Sequence, residues 1–466
     1  MPRIEKDFLG EKELPDGAYY GVQTQRGKDN FHITGIPMSA EPCFVQAFGY
    51  AKKAAAMANR DLGVLDAKVA GAIIGACDRL IAGEFRDQFV TDFIQGGAGT
   101  STNMNANEVI ANVALESLGH RKGEYQFVNP NDHVNFGQST NDMYPTAFRL
   151  ALILRLERYM EALTRLQEAF YAKAREFRGV LKMGRTHLQD AVPMSLGQEF
   201  HGWGTTIGEE VQRIAEVRKL LHEINLGATA IGTTVTAAPG YPELATKHLS
   251  AITGRKFILA GDLVEATSDT GAYVLLSGVL KRTSSKLTKI CNDIRMLASG
   301  PRCGLNEINL PQMQPGSSIM PGKVNPVIPE VVNQVGFLVI GLDLTVTLAA
   351  SAGQLQLNVM EPVITFALFT SISTMENAVT SLRENCVQGI TANAERTRDM
   401  VLNSLGIVTV LKPSLGYKQC AEIAREGYET GKSLHQIVVA ERKLLTQEKW
   451  DEVFSFENLI SPKFEQ

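Results

Sequence analysis

The stretch TAFRLALILRLERYMEALTRLQEAFYAKAREFR, residues Thr146–Arg178, decides the fold class of this chain. Its apolar residues recur at steps of three and four, which places them on one stripe of a long helix. The stripe consists of Leu152, Leu156, Tyr159, Leu163, Leu166, Phe170, Ala174 and Phe177. Pro145 lies at the expected first turn, where its missing N–H costs nothing, and Gly179 follows as a cap residue. We therefore predict one long bundle helix.

Four further segments show the same periodicity and predict four more long helices. They are Leu196–Ile224, Leu263–Leu297, Pro329–Ala350 and Val363–Ile390. The Pro329–Ala350 segment is apolar nearly all round, so we expect it to be buried on every side. Five helices well above the mean length of about 11 to 12 residues predict an all-α fold with a central bundle.

The segments on either side of the bundle have a different pattern. Residues 1–141 mix shorter helical patterns with Gly- and Asn-rich loops, and the pattern shortens again after about residue 394. The last helices are predicted at Ser433–Glu441 and Thr446–Phe454. We therefore predict an elongated three-domain subunit, with an N-terminal helical domain at 1–141, a central long-helix bundle at 142–393 and a small C-terminal helical domain at 394–466.

The composition limits the class of protein. The 466 residues are 44% hydrophobic and 21% charged, which excludes disorder for most of the chain. A net charge of -4 offers no basic surface for nucleic acid or an anionic membrane. The N-terminus lacks an apolar signal region, and the most apolar run, Val335–Leu342, is too short to span a bilayer. The six cysteines lack zinc-site spacing. We expect a cytoplasmic enzyme without a nucleic-acid or membrane partner.

Three segments are polar where a helical protein is usually apolar. They are Gly96–Asn105 with Gly137–Asp142 beyond it, Gly184–Asp190, and Gly316–Pro326. Each offers hydroxyls, amides or a cation on a loop beside a long helix, and together they could surround a small, doubly anionic ligand. Helix capping is the alternative for the first segment, and a structural role is the alternative for the Thr186–His187 pair.

Common enzyme signatures are absent from these segments. Five residues separate Gly316 from Gly322, and Val rather than Ser or Thr follows Lys323, so the third segment is not a P-loop. Gly97-Ala98-Gly99 lacks the third glycine of a dinucleotide fingerprint. Neither H-E-x-x-H nor G-x-S-x-G occurs. The chemistry must therefore come from another arrangement.

Residues Gly316–Asn325 read GSSIMPGKVN and match the G-S-x-x-M-x-x-K-x-N signature of the aspartase/fumarase superfamily. The other two polar segments resemble its further signature regions in order and spacing, and the resemblance runs through nearly the whole chain. Gly97–Asn103 and Val327–Gln334 resemble the aspartase branch rather than the class II fumarases. The chain departs from that branch at Gly232–Thr236, which reads GTTVT where GTGLN is usual.

The resemblance implies reversible deamination of L-aspartate to fumarate and ammonia by anti elimination. Ser317 resembles the general base, an oxyanion on a mobile loop that removes the C3 proton and leaves an aci-carboxylate intermediate. The implied catalytic set also contains His187 and Glu330, the latter resembling the carboxylate that orients an active-site histidine. The implied substrate-binding residues are Thr100, Ser139, Thr140, Asn141, Thr186, His187, Ser318, Met320, Lys323 and Asn325. The implied ligands are a small dicarboxylate and ammonia, with neither a metal nor an organic cofactor.

Three other functions are compatible with this scaffold. A class II fumarate hydratase would add water instead of ammonia. A lyase for a substituted aspartate is suggested by the departure at Gly232–Thr236. A catalytically silent structural relative, comparable to the lens crystallins, is disfavoured by the intact Ser317, Lys323, Asn325 and His187.

The spacing of the polar segments predicts an assembly. Ser139–Asn141 precede the first long helix, and Thr186–His187 follow its end. A helix of about 33 residues is roughly 50 Å long, whereas the connector Gly179–Arg185 reaches back at most about 25 Å. If both segments contact one four-carbon ligand, they must come from different chains with antiparallel helices. This agrees with the homotetramer that the resemblance implies, in which three subunits build each of four sites.

Overall fold

The computed structural model describes residues 2–460, and most of them lie in helices, as the periodicity predicts. The α-helices are α1 (Val22–Asn30), α2 (Pro42–Asp61), α3 (Ala67–Ile81), α4 (Thr100–Ser117), α5 (Thr140–Glu176), α6 (Leu196–Arg218), α7 (Tyr241–Thr253), α8 (Leu263–Ser268), α9 (Gly271–Leu297), α10 (Val327–Ser351), α11 (Glu361–Asn385), α12 (Ala394–Asn403), α13 (Lys412–Thr430), α14 (Gln447–Val453) and α15 (Phe456–Leu459). Short 3₁₀ or π segments occupy Met38–Ala40, Arg86–Gln88, Pro130–Val134, Lys219–His222, Val387–Gly389, Leu405–Leu411 and Gln436–Glu441.

Eight short strands form four two-stranded sheets, which the helical periodicity does not predict. The antiparallel pairs are β1 (Arg3–Asp7) with β2 (Gly10–Leu14), β3 (Leu181–Thr186) with β4 (Gln189–Ser195), and β7 (Ile308–Asn309) with β8 (Thr391–Ala392); β5 (Glu223–Ile224) and β6 (Ile258–Leu259) pair in parallel. Because no described sheet exceeds two strands, the fold remains mainly helical.

The long helices are confirmed, but several bounds differ from the prediction. α5 begins at Thr140 instead of near Thr146, so Pro145 lies inside the helix. The third predicted helix is two helices, because α8 ends before Asp269, whose carboxylate accepts the N–H of Gly271 at 3.0 Å where α9 begins. In the C-terminal segment, helix periodicity missed α13, where Gly416 adopts a non-helical conformation.

The chain forms two compact units, each made of three sequence segments. One contains Met1–Met160, Gln212–Ser284 and Phe337–Glu376, and the other contains Glu161–Val211, Ser285–Gly336 and Asn377–Gln466. The first has an aromatic core in which the Phe44 ring lies 5.3 Å from Tyr144 and 5.5 Å from Phe369. The second has an apolar core that includes Met183, Val401, Leu411, Ile423, Ile437 and Trp450. The division into domains 1–141, 142–393 and 394–466 stays a prediction.

α10 is not buried on every side in the single chain, contrary to the prediction from its composition. Phe337, Leu344 and Leu348 are 62%, 60% and 60% exposed. On the inner face, the buried Asp343 accepts hydrogen bonds from Ser277 at 2.8 Å and from a lysine ammonium at 2.5 Å. Among residues 2–460, α10 is the helix that is long and apolar enough to cross a membrane by length and composition. Apolar composition alone does not tell which face a neighbour covers.

Candidate active site

The N-termini of α4 and α5 lie next to each other in the first unit. The Asn103 side-chain amide donates to Thr140 Oγ1 at 3.2 Å, and a Cβ on Gly99 would lie 2.3 Å from the Tyr144 ring. The structure therefore brings together four of the predicted residues: Thr100, Ser139, Thr140 and Asn141. Because free N–H groups and the positive dipole end of a helix favour anions, two converging helix N-termini suit a carboxylate.

The hydroxyls at this junction differ in what they can donate. Ser139 Oγ accepts the N–H of Asn141 at 3.2 Å, and Thr140 Oγ1 accepts from Asn103, so both hydroxyl protons remain to be donated. Thr100 Oγ1 instead donates to the carbonyl of Gly97 at 2.7 Å. Thr100 must turn away from that carbonyl before it can donate to a ligand. Capping and ligand binding are thus compatible uses of one segment.

Asp142 holds Ser139 and the nearby Gly227–Thr229 segment in place through hydrogen bonds. Its fully buried carboxylate accepts N–H groups of Ser139 at 3.0 Å, Gly227 at 3.1 Å and Thr229 at 2.9 Å. Burial raises the pKa of Asp142 to about 7, against the lowering effect of these donors. The Asn141 amide donates to the Ala230 carbonyl at 2.7 Å. Asn141, the predicted amine-binding residue, is therefore hydrogen-bonded to the segment that leads into Gly232–Thr236, where the sequence differs from the aspartase pattern.

The signature loop is closed at its base by its own backbone. The Gly316 N–H donates to the Lys323 carbonyl at 2.7 Å, and the Asn325 amide donates to the Gly316 carbonyl at 2.8 Å. A Cβ on Gly316 would approach the Lys323 oxygen to 2.7 Å, so glycine is required there. Ser317 Oγ accepts the N–H groups of Ile319 at 3.2 Å and Met320 at 3.0 Å. Two donors aimed at one hydroxyl oxygen favour its anionic form.

The side chains that follow Ser317 in the signature loop are mostly open to solvent. Ser318, Met320 and Lys323 are exposed, and Asn325 is half-buried. Exposed hydroxyl and ammonium groups are free to meet a ligand brought by another surface. The loop therefore presents these donors on an exposed surface, while its end at Val324, Asn325 and Pro326 lines a cavity of about 250 Å³.

Thr186 and His187 lie at a hairpin tip rather than on a plain loop. Thr186 pairs with Gln189, which leaves His187 and Leu188 as a two-residue turn with φ of 55° and 59°. Two consecutive positive φ values are typical of a type I′ turn, which normally selects Asn-Gly. Leucine is unusual in that conformation, so the turn holds local strain in order to present an exposed imidazole.

Buried ions hold the hairpin in place. Glu307 is fully buried and accepts from Arg185 Nη1 at 2.5 Å, while Lys182 Nζ lies 3.1 Å from its other oxygen. Arg185 directly precedes the Thr186–His187 pair. Removing one partner of such a buried pair is strongly destabilising, so Glu307 fixes the direction of the hairpin.

Glu330 lies near the start of α10 and is half-buried. Its carboxylate is 4.0 Å from Arg295 Nη2. Within residues 2–460 of one chain, no hydrogen bond or ion pair joins Glu330 to His187. The pairing of Glu330 with the active-site histidine stays a prediction.

Several residues around the candidate site were not predicted from the sequence. Lys52, Asn103, Asp142 and Glu307 are buried and act behind the residues that face a ligand. The available signal was weak: a lysine inside the apolar α2 face, and asparagines recurring along the buried α4. Apart from the bond between Ser139 and Asp142, the hydrogen-bond partners given for these residues are distant in sequence, so spacing could not reveal them.

Comparisons with known proteins identify the family of the chain. Residues 10–341 match the family described as Lyase, and residues 407–461 match Fumarase C C-terminus. The chain is 57% identical over 462 residues to an aspartate ammonia-lyase of Pseudomonas aeruginosa, covering 99% of this chain and 97% of that protein.

Two solved structures extend the comparison to the fold. Fumarate lyase:delta crystallin from Brucella melitensis bound to cobalt has a TM-score of 0.95 and 51% identity, covering 97% of this chain and 98% of that one. A class II fumarase from Schistosoma mansoni has a TM-score of 0.91 and 35% identity, covering 98% of both. The chain belongs to the aspartate ammonia-lyase family of the aspartase/fumarase superfamily.

Proposed function

We propose that this chain deaminates L-aspartate reversibly to fumarate and ammonia by anti elimination. The observation that carries the proposal is the signature loop, in which Ser317 Oγ accepts two N–H groups. The hard step is removal of the weakly acidic C3 proton. An ordinary hydroxyl is too weak a base, and preorganised donors around its oxygen are one way to activate it.

The β-carboxylate is bound by Thr100, Ser139, Thr140 and Ser318. When C3 loses its proton, negative charge accumulates on the β-carboxylate oxygens as an aci-carboxylate. Donors aimed at those oxygens strengthen as the charge develops, so they lower the barrier. The free hydroxyl protons of Ser139 and Thr140 support this role.

The α-carboxylate is bound by Lys323, Asn325, Thr186 and His187, with Met320 lining the loop. Asn141 and His187 contact the leaving amine, and Glu330 orients a histidine supplied by another subunit. Because the amine leaves as ammonia from an ammonium group, no strong general acid is obligatory. The scheme assigns no metal and no organic cofactor.

Two observations support a homotetramer with shared sites. α5 has 37 residues, which corresponds to about 55 Å. The chain between α5 and Thr186 is too short to return over that length, so Ser139–Asn141 and Thr186–His187 meet only across chains. The exposed apolar side chains of α10 would be covered in the same assembly. A cytoplasmic location agrees with the six free cysteines.

Fumarate has a strong ultraviolet absorbance, which makes the test direct. Purified protein should form fumarate from L-aspartate and form little from L-malate. Comparable rates with malate would favour fumarate hydratase. The sequence supports that function less, because the identity with a class II fumarase is only 35%. Turnover of substituted aspartates in preference to aspartate would favour the lyase suggested by the Gly232–Thr236 departure.

A further inference from the structure

A buried cation determines the direction of a chain of hydrogen bonds. Lys52 in α2 is fully buried, and its ammonium contacts Asn135 at 2.9 Å and Gln138 at 2.8 Å. Burial lowers the pKa of Lys52 to about 7, but the ammonium and the neutral amine both have N–H groups for two partners. Both amides therefore present their oxygen atoms to Lys52. The atom that Asn135 offers to its neighbours at this point is therefore Oδ1, whichever way the amide is drawn.

Asn103 contacts that same oxygen at 3.2 Å. Because Asn135 Oδ1 is an acceptor, Asn103 must present its NH₂ group. The second N–H of that group meets Thr140 Oγ1 at 3.2 Å. An oxygen that accepts from Asn103 keeps its own proton for another partner, and no acceptor for the Thr140 hydroxyl lies within residues 2–460. Asn103 is 1% exposed, so water does not compete freely for its N–H groups.

We propose that Asn103 is a positioning residue whose amide, oriented by Lys52 through Asn135, makes the Thr140 hydroxyl a hydrogen-bond donor to the β-carboxylate of the substrate. The inference rests on the proposed function. It names a residue that contacts a substrate-binding side chain and not the substrate itself. Its effect is largest in the transition state, because the β-carboxylate carries more charge there than in the bound substrate. The loss on removing Asn103 should therefore fall on kcat more than on KM.

The test is a double-mutant cycle with Thr140→Val, which removes the hydroxyl. Asn103→Leu, nearly isosteric and without donors, should lower kcat about 10-fold when Thr140 is present. In the Thr140→Val background the same change should lower kcat less than about twofold, because no hydroxyl is left to orient. Equal losses in both backgrounds would mean that Asn103 only supports the fold, and would overturn the proposal.

Asn107 provides a matched control on the same helix. It is fully buried and donates to the same Asn135 oxygen at 3.1 Å, but within residues 2–460 it forms no hydrogen bond with Thr140. Asn107→Leu should leave kcat within about threefold of the unmodified protein. A loss as large as that of Asn103→Leu would overturn the proposal, because it would trace the effect to Asn135 or to packing.

A second variant covers the case in which Asn103→Leu does not fold. In Asn103→Asp a carboxylate oxygen faces Thr140 and accepts a hydrogen bond from its hydroxyl, so the hydroxyl no longer donates to the substrate. The kcat should fall by at least the 10-fold expected for the leucine variant; unchanged kcat would overturn the proposal. The proposed function is checked separately by turnover of the unmodified protein. If aspartate is not turned over, fumarate binding by calorimetry replaces kcat in the same cycle, and it should weaken only where Thr140 is present.

Discussion

The side-chain amide of Asn225 donates a hydrogen bond to the main-chain carbonyl of Asn141 at 3.1 Å. That carbonyl would normally accept the N–H four residues later in the helix, but residue 145 is a proline and has none. Asn225 is buried, and its amide also donates to Thr267 Oγ1 at 3.1 Å. A side chain from a separate segment thus completes the first turn of α5, which carries the candidate site.

Asn225→Leu should destabilise the protein by about 1–3 kcal/mol, because the Asn141 carbonyl loses its partner. The variant should also raise KM for L-aspartate, since Asn141 is the proposed amine contact. Chemical unfolding and initial rates measure the two effects. Pro145→Ala in the same background restores an N–H at the helical position and should recover stability. No recovery would mean that the Asn225 bond is not what completes the helix.

Ser317→Ala should lower kcat at least about 100-fold while fumarate binding remains measurable. The Ser317 oxygen, stabilised by its two N–H donors, takes the transferred proton, whereas other side chains bind the carboxylates. Turnover and calorimetric binding on the same folded preparation test this. A variant that keeps more than about a tenth of the activity would remove Ser317 as the general base.

Helix periodicity predicts α5 and α11 because each buries a stripe that repeats along the sequence, and it predicts α10 as a helix but not its exposed face. It misplaces the start of α5, since proline tolerance at the second turn depends on Asn225, about 80 residues away. It also misses the β3–β4 hairpin, because His187 and Leu188 are not the residues that a type I′ turn usually selects. The predicted binding residues lie in recognisable motifs, as does Asn103, whereas the roles of Lys52 and Asn103 follow only from tertiary contacts.

The backbone of Gly232–Thr236, where the sequence differs from the aspartase pattern, predicts an effect on stability. Thr234 and Thr236 have φ of 58° and 79°, in the left-handed region that β-branched residues rarely adopt. The related enzymes usually have Gly and Asn at these positions, which tolerate it. Thr234→Gly with Thr236→Asn should therefore raise the melting temperature, each change relieving about 1 kcal/mol of strain.

The control for this pair is Thr233→Gly, since Thr233 does not have a positive φ. It should lower the melting temperature, because glycine increases the conformational entropy of the unfolded chain. The same variants test specificity through kcat/KM for L-aspartate and for 3-methylaspartate. An unchanged ratio in the double variant would make the stretch structural only.

Glu361 gives a pH dependence of known sign. Burial raises the pKa of Glu361 to about 8 in the folded protein, although Arg149 opposes the shift. The unfolded value is about 4.3, so the folded state holds the proton more tightly. The stabilising contribution is complete below about pH 4 and is lost as pH rises through about 8.

Glu361→Gln stays neutral at every pH and does not lose this contribution. The melting temperature of the variant minus that of the unmodified protein should therefore increase from pH 5 to pH 9. Glu168→Gln makes the same substitution at an exposed side chain and controls for the change of residue type. A constant difference for Glu361→Gln would contradict the raised pKa.

Shared sites predict recovery of activity by mixing two inactive proteins. Ser317→Ala and His187→Ala homotetramers should each be inactive. If the loop and the hairpin of one site come from different chains, random reassociation of equal amounts leaves about one quarter of the sites with both residues intact. Activity should therefore appear only after the two proteins are dissociated together and reassociated, and should approach about a quarter of that of unmodified protein treated in the same way.

A second mixture separates subunit complementation from simple refolding. Ser317 and Lys323 lie on one loop of one chain, closed by the bond between the Gly316 N–H and the Lys323 carbonyl at 2.7 Å. A mixture of Ser317→Ala and Lys323→Ala proteins therefore contains no intact loop, and it should recover nothing beyond the parent activities. Recovery in the first mixture and none in the second requires that the hairpin with His187 reaches the loop of a different subunit. If the two mixtures recover the same activity after reassociation, Ser317 and His187 belong to a site built by one chain.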